Sequence, residues 1–257
     1  DHLSNEEKEI QINVREFCNK ELRPQVIKNN REHKFNQNLY LRFGSMGILG
    51  QTVKTHGGSG TSNLAYGLVA YELEKIDSSY RSAISVQSSL VIHPINEFGS
   101  EEQKNRFLSD LIEGKKIGCF GLTESEAGSD PSSMKTSYKK VKDGYILNGT
   151  KNWITNAPIA DIFIIWAIEE NNNHKSIKSF ILEKNFNGLN ISNIENKTSL
   201  KISPTGQIIL NNVFVPKNLC LEKTDGWKSV FSCLNKARFG ISWGVLGTAS
   251  ECWIIAK

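Results

Sequence analysis

The sequence predicts an α+β protein in which a β domain lies between two helical layers. Apolar residues recur at helical spacing up to Gly114, and from Ile117 onward β-rich runs alternate with turn dipeptides. After Asp225-Gly226 the helical spacing returns. We therefore expect an N-terminal helical domain over residues 1–116, an antiparallel β-barrel or sandwich domain over 117–223, and the start of a C-terminal helical bundle over 224–257.

The composition is that of a folded globular chain. Its 257 residues are 39% hydrophobic and 23% charged, which allows a sizeable core and argues against disorder. The formal net charge is +4, but lysines and arginines are scattered among acids without a basic block or a basic-aromatic patch. Nucleic-acid binding is therefore not expected. Since no run of about eighteen apolar residues occurs, a membrane span is not expected either.

The cysteines and histidines indicate neither a disulfide framework nor a metal site. The five cysteines are odd in number and far apart, which is typical of a reducing compartment. The five histidines are equally dispersed: His2, His33, His56, His93 and His174. We interpret each as a surface or satisfied core residue, so no metal is expected. The first four residues are not a signal sequence, but because the chain starts without Met, an address could have been removed.

Capping-box pairs mark two helix starts in the first domain. Ser4 with Glu7 precedes apolar positions at helical spacing, and Ser100 with Gln103 opens a shorter helix that Gly114 closes. Two further stretches have the helical period, residues 64–73 and 82–95. The sequence therefore predicts that the chain up to Gly114 is helical.

Four runs in the middle of the chain are typical of strands. They read YILNGTKNWIT, DIFIIWAIEE, SFILEKN and QIILNNVFVP. The dipeptides Asp143-Gly144, Asn148-Gly149 and Asn211-Asn212 favour hairpin turns between strands.

The last segment predicts one long helix with an apolar stripe. The stripe consists of Val230, Leu234, Ala237, Ile241, Val245, Thr248, Cys252 and Ile255. It reaches Lys257 without a terminating Gly, Asn or Pro, so we expect the helix to continue further. Because one helix cannot bury its stripe alone, we also expect further helices to pack on it.

Two polar stretches follow no phosphate-loop or nucleophile-elbow pattern. The first reads FGLTESEAGSD from Phe120 to Asp130, and the second contains WIT from Trp153 to Thr155. Singly, Gly-Ser-Asp-Pro is an ordinary turn and a strand Trp is usually a core residue. Together, at this spacing, they resemble the two flavin segments of the acyl-CoA dehydrogenases, flavoenzymes that oxidise an acyl thioester between its α and β carbons.

The resemblance implies FAD as the cofactor. An isoalloxazine ring needs an aromatic wall together with backbone and hydroxyl hydrogen bonds along one edge. By resemblance, Thr123 contacts the pyrimidine side, Trp153 packs against the ring, and Thr155 lies near the reactive N5. The implied cofactor-binding residues are Phe120, Gly121, Leu122, Thr123, Glu124, Gly128, Ser129, Trp153, Ile154 and Thr155.

Within this family, the stretches YRSAISVQSSLVIHPI and CLNKARFGISWGVLGTA resemble the glutaryl-CoA dehydrogenases. Arg81 stands beside a largely apolar helix, where an unpaired cation would be costly, so it needs water or a fixed anion. A snorkelling Arg at a helix end is the alternative from the residues alone. The resemblance implies that Arg81, assisted by Ser82, binds the distal carboxylate of glutaryl-CoA through two parallel hydrogen bonds.

A further segment resembles the lining of the pantetheine arm and acyl chain. It adds Phe231, Ser232, Cys233, Leu234, Asn235, Lys236, Ala237 and Arg238 to the implied substrate-binding residues, beside Arg81, Ser82 and Ser129. Lys236 departs from the Asn expected there, a mild change at the rim of the site.

The implied reaction is oxidation of glutaryl-CoA, followed by loss of carbon dioxide to give crotonyl-CoA. A glutamate removes the α-proton while hydride passes to flavin N5. No catalytic residue is assigned within this chain, because the glutamate is expected beyond Lys257 and Glu251 stands too early in its helix. Glu124 and Glu126 are not interpreted as an acid and base pair.

The resemblance also implies the partners and the location. An electron-transferring flavoprotein takes the electrons, the complete protein is a homotetramer, and the compartment is the mitochondrial matrix, or the cytoplasm of a bacterium. Two other hypotheses stay open. One is a relative acting on another short acyl-CoA, and the other is a non-catalytic fragment that binds flavin and a CoA thioester.

Overall fold

The computed structural model describes residues 2–170 and 176–257, so His174 lies outside the described residues. Within them, helices come first, strands occupy the middle, and one long helix follows. This order confirms the predicted fold class. The domain boundaries after residues 116 and 223 stay predictions.

The first helix begins at a strong side-chain cap. α1 (Asn5–Phe17) begins where the Glu7 N–H donates to Ser4 Oγ at 3.2 Å and the Ser4 N–H donates to the Glu7 carboxylate at 2.9 Å, as predicted. The chain then continues through a π-helical turn (Cys18–Leu22), a 3-10 turn (Arg23–Gln25), α2 (Val26–Glu32) and α3 (Leu39–Ser45).

The central helices of the first domain include one with irregular hydrogen bonding. α4 (Asn63–Glu74) matches the predicted stretch 64–73. The helix predicted over 82–95 is longer at both ends and changes its hydrogen bonding on the way: α5 (Ser78–Ser85), a π-helix (Val86–Ile92) and α6 (His93–Phe98). Pro94 has no N–H to donate to an earlier carbonyl, which favours this change before it.

α7 (Glu101–Ile112) completes the helical layer. It carries the predicted Ser100 and Gln103 capping box. It ends before Gly114, whose φ of 72° lies in the left-handed region that favours glycine.

The middle of the chain forms one seven-stranded sheet. Its strands are β1 (Gly118–Gly121), β2 (Ser137–Val141), β3 (Gly144–Thr155), β4 (Ile162–Glu169), β5 (Ile177–Glu183), β6 (Leu189–Asn193) and β7 (Thr205–Pro216). The order is β1-β4-β2-β3-β7-β6, and β5 pairs with the other edge of β4. Most pairs are antiparallel as predicted, but β1 and β2 both run parallel to β4. These parallel partners are not consecutive in the chain, because β3 lies between β2 and β4, and both β2 and β3 lie between β1 and β4.

Of the three predicted hairpin dipeptides, one is confirmed. The turn at Asp143-Gly144 lies between β2 and β3, with Gly144 as the first residue of β3, whereas Asn148-Gly149 lies inside β3 and Asn211-Asn212 inside β7. The pairing of β3 with β7 shifts register between Leu147 and Gly149. Gly149 has φ 144° and Asn212 has φ 50°. Residues that tolerate positive φ serve bulges as well as turns, which explains the wrong prediction.

α8 (Gly226–Ala256) packs on α4 through glycines. A Cβ on Gly240 would come within 2.6 Å of Tyr66 Oη, and one on Gly247 would overlap the main-chain oxygen of Tyr71. In return, Trp243 of α8 covers Gly67 of α4, where a Cβ would lie 2.7 Å from the indole ring. The two helices therefore approach closely because their contact positions lack side chains.

The predicted apolar stripe of α8 is buried only in its first turns. Val230 is buried, but Ile241, Val245 and Ile255 are exposed, because the glycine face takes the contact with α4. The helices expected to cover these residues stay a prediction. Among the described helices, α8 alone is long and apolar enough to cross a membrane, a criterion that core helices of globular proteins also meet.

His93 makes the fold sensitive to acid. Burial, together with the nearby Lys236 charge, lowers its pKa from 6.5 to about 4, against the opposing effect of Glu97. The unfolded chain therefore takes up the proton first as the pH falls below about 6.5. We expect the free energy of unfolding to fall by about 2 kcal/mol between pH 7.5 and pH 5 on account of this group. Urea titrations of the unmodified chain and of His93→Gln at several pH values would measure this. If the free energy of unfolding falls equally with pH in both chains, the expectation is contradicted.

Candidate functional site

The two polar segments singled out in the sequence lie side by side. The first follows β1, which pairs with β4. The second is the end of β3, which pairs with β7. The Asn152 N–H donates to the Thr123 oxygen at 2.8 Å and thereby joins the segments through their main chains.

Trp153 has an unusual backbone at the end of β3. The pairing with β7 shifts register between Lys151 and Ile154, and Trp153 has φ 59°. Positive φ is uncommon for a bulky side chain and costs on the order of 1 kcal/mol or more. The indole is nevertheless 58% exposed, so burial of the ring does not explain the conformation. The bulge instead turns a large aromatic face toward an open cleft.

The cleft has a volume of about 180 Å³ and is lined from three parts of the fold. The π-helix contributes Val86 and Leu90, α8 contributes Leu234, and the two segments contribute Phe120, Leu122, Thr123, Trp153, Ile154 and Thr155. The walls are thus apolar or aromatic, with two threonine hydroxyls among them. This is the chemistry that a flat, partly polar heteroaromatic ring requires.

Four of the predicted cofactor-binding residues do not line this cleft: Gly121, Glu124, Gly128 and Ser129. Gly121 is packed under Ile165, where a Cβ would lie 2.6 Å from the Ile165 side chain. The Glu124 carboxylate is turned inward and accepts from the backbone N–H groups of Lys135 at 2.7 Å and Thr136 at 2.9 Å. Ser129 is exposed, and so is Gly128, where a Cβ would meet nothing within 4 Å. Their contacts with a cofactor stay predictions.

Arg81 has a fixed anion inside the chain. Its Nε donates to Oε2 of Glu74 and its Nη2 lies 3.5 Å from Oε1 of the same carboxylate. Both side chains are buried beneath Gly244 of α8. The need for an anion that the sequence indicated is therefore met by Glu74, and Arg81 is not among the residues that line the cleft. Glu74 was missed because it ends α4 whereas Arg81 belongs to α5. Only the packing of the two helices brings the carboxylate to the guanidinium.

Comparisons with known proteins agree with this geometry. Residues 4–115 match the model of the acyl-CoA dehydrogenase N-terminal domain, and residues 119–213 match that of the acyl-CoA dehydrogenase middle domain. The chain belongs to the acyl-CoA dehydrogenase family. All of it aligns at 33% identity with a short-chain specific acyl-CoA dehydrogenase of Clostridium acetobutylicum, spanning 68% of that protein.

Solved structures of acyl-CoA dehydrogenases share the fold. A glutaryl-CoA dehydrogenase of Mycobacterium smegmatis in complex with FADH2 superposes with a TM-score of 0.94 at 40% identity, over 97% of this chain and 64% of that one. Butyryl-CoA dehydrogenase of Megasphaera elsdenii superposes with a TM-score of 0.92 at 34% identity, over 98% of this chain and 67% of that one. The chain thus spans about two thirds of the length of these relatives.

The residues of the predicted substrate segment of α8 do not share one site; they lie in the cleft, in a second cavity, in the core and at the surface. Leu234 alone lines the cleft. Cys233 is fully buried, which raises its pKa to about 12 and leaves its thiol protonated and unreactive. Ser232 faces a second cavity together with His93, and exposed Arg238 donates to Asn235 Oδ1 at 2.7 Å. The remaining members are Phe231, which is exposed, and Lys236 and Ala237, which are partly buried.

No proton acceptor for a carbon acid lies in the cleft. Its lining residues, all within the described part of the chain, include no carboxylate and no imidazole. Among residues 2–170 and 176–257, no cluster of His, Cys, Asp or Glu could hold a metal ion. The cleft can therefore bind and orient a ring, but its own side chains cannot remove an α-proton.

Proposed function

We propose that this chain binds FAD and an acyl-CoA thioester as part of a glutaryl-CoA dehydrogenase. The observation that carries the proposal is the cleft that Thr123, Trp153 and Thr155 share. There a positive φ at Trp153 accompanies an exposed indole. The residues present fit the cofactor, because an apolar cleft with an aromatic wall and two hydroxyls matches both the faces and the edge of an isoalloxazine ring. The FADH2 complex of the similar Mycobacterium smegmatis enzyme supports the same cofactor.

Each lining residue has a proposed role in this chemistry. Thr123 and Thr155 orient the ring through their hydroxyls, and Trp153 covers it and excludes water. Val86, Leu90 and Leu234 close the opposite side of the cleft, where an acyl chain would lie. When bound, FAD supplies the acceptor for the hydride that leaves the β-carbon of the thioester. The base that removes the α-proton is proposed to be a glutamate outside residues 1–257.

Glutaryl-CoA is the proposed substrate because Arg81 has donors to spare. Glu74 engages Nε and Nη2, and no hydrogen bond from Nη1 is found among the described residues. A guanidinium offers five N–H donors in a planar fork, so it can hold a second carboxylate beside the first. In this proposal Arg81, with Ser82, binds the distal carboxylate, and decarboxylation then yields crotonyl-CoA.

One observation favours a second candidate, a dehydrogenase for a short acyl-CoA without a distal carboxylate. Glu74 already neutralises Arg81, so the buried cation does not require an anion from the substrate. The short-chain specific relative of Clostridium acetobutylicum supports this alternative. The remaining parts of the proposal are an electron-transferring flavoprotein as electron acceptor, a homotetrameric complete protein, and a location in the mitochondrial matrix or a bacterial cytoplasm.

Anaerobic reduction tests the proposal. We expect residues 1–257 to take up FAD, because the cleft binds the ring, and the flavin to stay yellow with glutaryl-CoA, because the cleft holds no base. For the complete protein, glutaryl-CoA should bleach the flavin and release carbon dioxide, whereas butyryl-CoA should bleach it poorly and, having no distal carboxylate, release no carbon dioxide. Absorbance near the flavin maximum and trapped carbon dioxide report the two steps. Bleaching by residues 1–257 alone, or equal turnover of both thioesters, would contradict the proposal.

A further inference from the structure

Lys151 holds a fully buried charge beside the cleft. Its side chain has no exposed surface, and its ammonium contacts three acceptors from two other segments of the chain. The Glu124 carboxylate lies at 2.8 Å, the Leu122 main-chain oxygen at 3.0 Å and the Met134 sulfur at 3.7 Å. A buried ammonium is tolerated only where its donors are satisfied, so the three acceptors must keep these positions.

Glu124 extends the same network to a third stretch of chain. Its carboxylate accepts from the backbone N–H groups of Lys135 and Thr136, which lead into β2. Its own main chain pairs with Ala127 and closes a tight turn. Lys151 therefore connects three stretches through one charge: the end of β1, the lead into β2, and β3.

The network lies directly behind the two segments that line the cleft. Thr123 stands between Leu122 and Glu124, both of which Lys151 holds. On the other strand, Trp153 follows Lys151 by two residues, across the register shift. In a regular strand these two side chains would share a face, but here Lys151 is buried and Trp153 is 58% exposed. Lys151 thus anchors the strand on the inner side of the bulge that turns Trp153 outward.

We propose that Lys151 is a positioning residue for the cofactor site, which sets the separation between the Thr123 wall and the Trp153 wall through its contacts with Glu124 and Leu122. The inference rests on the proposed binding of FAD in this cleft. Lys151 does not line the cleft itself, so it acts through its neighbours.

A charge suits this role better than an apolar side chain of similar size. Buried ion pairs are often replaceable by apolar residues without loss of stability, so stability alone does not account for the pair. A buried ammonium, by contrast, is stable only in arrangements that place hydrogen-bond acceptors around its three N–H donors. We therefore expect a neutral replacement of the pair to keep the fold and to loosen the cleft.

The decisive variant is Lys151→Met with Glu124→Gln, because either change alone leaves a buried unpaired charge and would obscure the result. We expect the double variant to unfold in one transition close to that of the unmodified chain. Its affinity for FAD, measured by flavin fluorescence, should fall by about tenfold or more, as metal affinity does when a residue that orients the metal ligands is removed. Lys197→Met is the matched control, since Lys197 also donates to a main-chain oxygen, that of Ser203 at 2.6 Å, away from the cleft.

A pH profile provides a second readout that a merely structural role would not change. Burial lowers the pKa of Lys151 to about 8, although the Glu124 charge, the charged group that faces it, opposes this effect. FAD affinity of the unmodified chain should fall between about pH 7 and pH 9 as Lys151 loses its proton, while that of the double variant stays level. A folded double variant that binds FAD as tightly as the unmodified chain overturns the inference alone. An unmodified chain that binds no FAD overturns the proposed function, and this inference with it.

Discussion

Replacing Arg81 with Met should lower the free energy of unfolding by about 3–5 kcal/mol, the usual cost of breaking a buried ion pair on one side. The Glu74 side chain is only 4% exposed, so its carboxylate cannot turn to water without moving α8 away from α4. Replacing both residues, with Glu74→Gln added to Arg81→Met, removes the unpaired charge. The double variant should therefore recover most of the loss. Urea titrations of the three chains in the absence of any thioester measure both effects.

The surface pair of Arg106 and Glu183 is the matched control. Its side chains are 45% and 32% exposed, so Arg106→Met should cost less than about 1 kcal/mol. A similarly small loss for Arg81→Met would show that the Glu74 carboxylate reaches water. A double variant as unstable as Arg81→Met would show that Arg81 stabilises the fold through packing of its stem.

Glu74→Gln alone separates the two candidate substrates. It leaves the Arg81 guanidinium buried without an anion, which a substrate carboxylate can then supply. In the complete protein we expect glutaryl-CoA to raise the melting temperature of this variant by more than butyryl-CoA does, because ligand binding to the folded state stabilises it. Equal increases would mean that Arg81 does not contact the distal carboxylate, and would favour the short acyl-CoA without one.

Local patterns in the sequence were sufficient for most of the helices and strands. Ser4 with Glu7 and Ser100 with Gln103 specify helix starts through hydrogen bonds over three residues, which no distant contact has to provide. Asn148-Gly149 failed because tolerance of positive φ is shared by turns and bulges, and only the partner strand decides between them. The bulge at Trp153 gave no local signal, because a bulky residue rarely adopts positive φ and only the pairing with β7 reveals the register shift there.

The parts of the site that depend on distant contacts could not be read from the sequence. Thr123 and Thr155 could be assigned to one cleft, because both segments resemble the family. Val86 and Leu90 were missed, because they belong to a helix whose inward face is set by packing. Lys151 gave no local signal either, because a Lys in a strand is usually exposed. Its role becomes visible only when the acceptors from β1 and from the lead into β2 surround it.

Gly247→Ala should destabilise the chain by about 2 kcal/mol, although helix propensity favours the change. Ala at an interior helix position is normally about 1 kcal/mol better than Gly. Here the new Cβ would overlap the main-chain oxygen of Tyr71, which belongs to α4 and cannot rotate away. Overpacking costs about 1–3 kcal/mol, and this clash belongs at the upper end of that range, because main chain cannot rotate away and one helix has to shift. The clash therefore outweighs the propensity, and chemical denaturation of the variant measures the net loss.

Two further variants isolate the clash in that experiment. Ala249→Val adds bulk on an exposed face of α8 and should cost only a few tenths of a kcal/mol. Gly240→Ala meets the Tyr66 hydroxyl instead of main chain, and a side chain can yield, so its loss should be smaller than that of Gly247→Ala. Because Leu234 of the same helix lines the cleft, displacement of α8 should also weaken FAD binding in the order of the stability losses. If Gly247→Ala is more stable than the unmodified chain, α8 does not contact α4 through its glycines, and the closed side of the cleft is formed in another way.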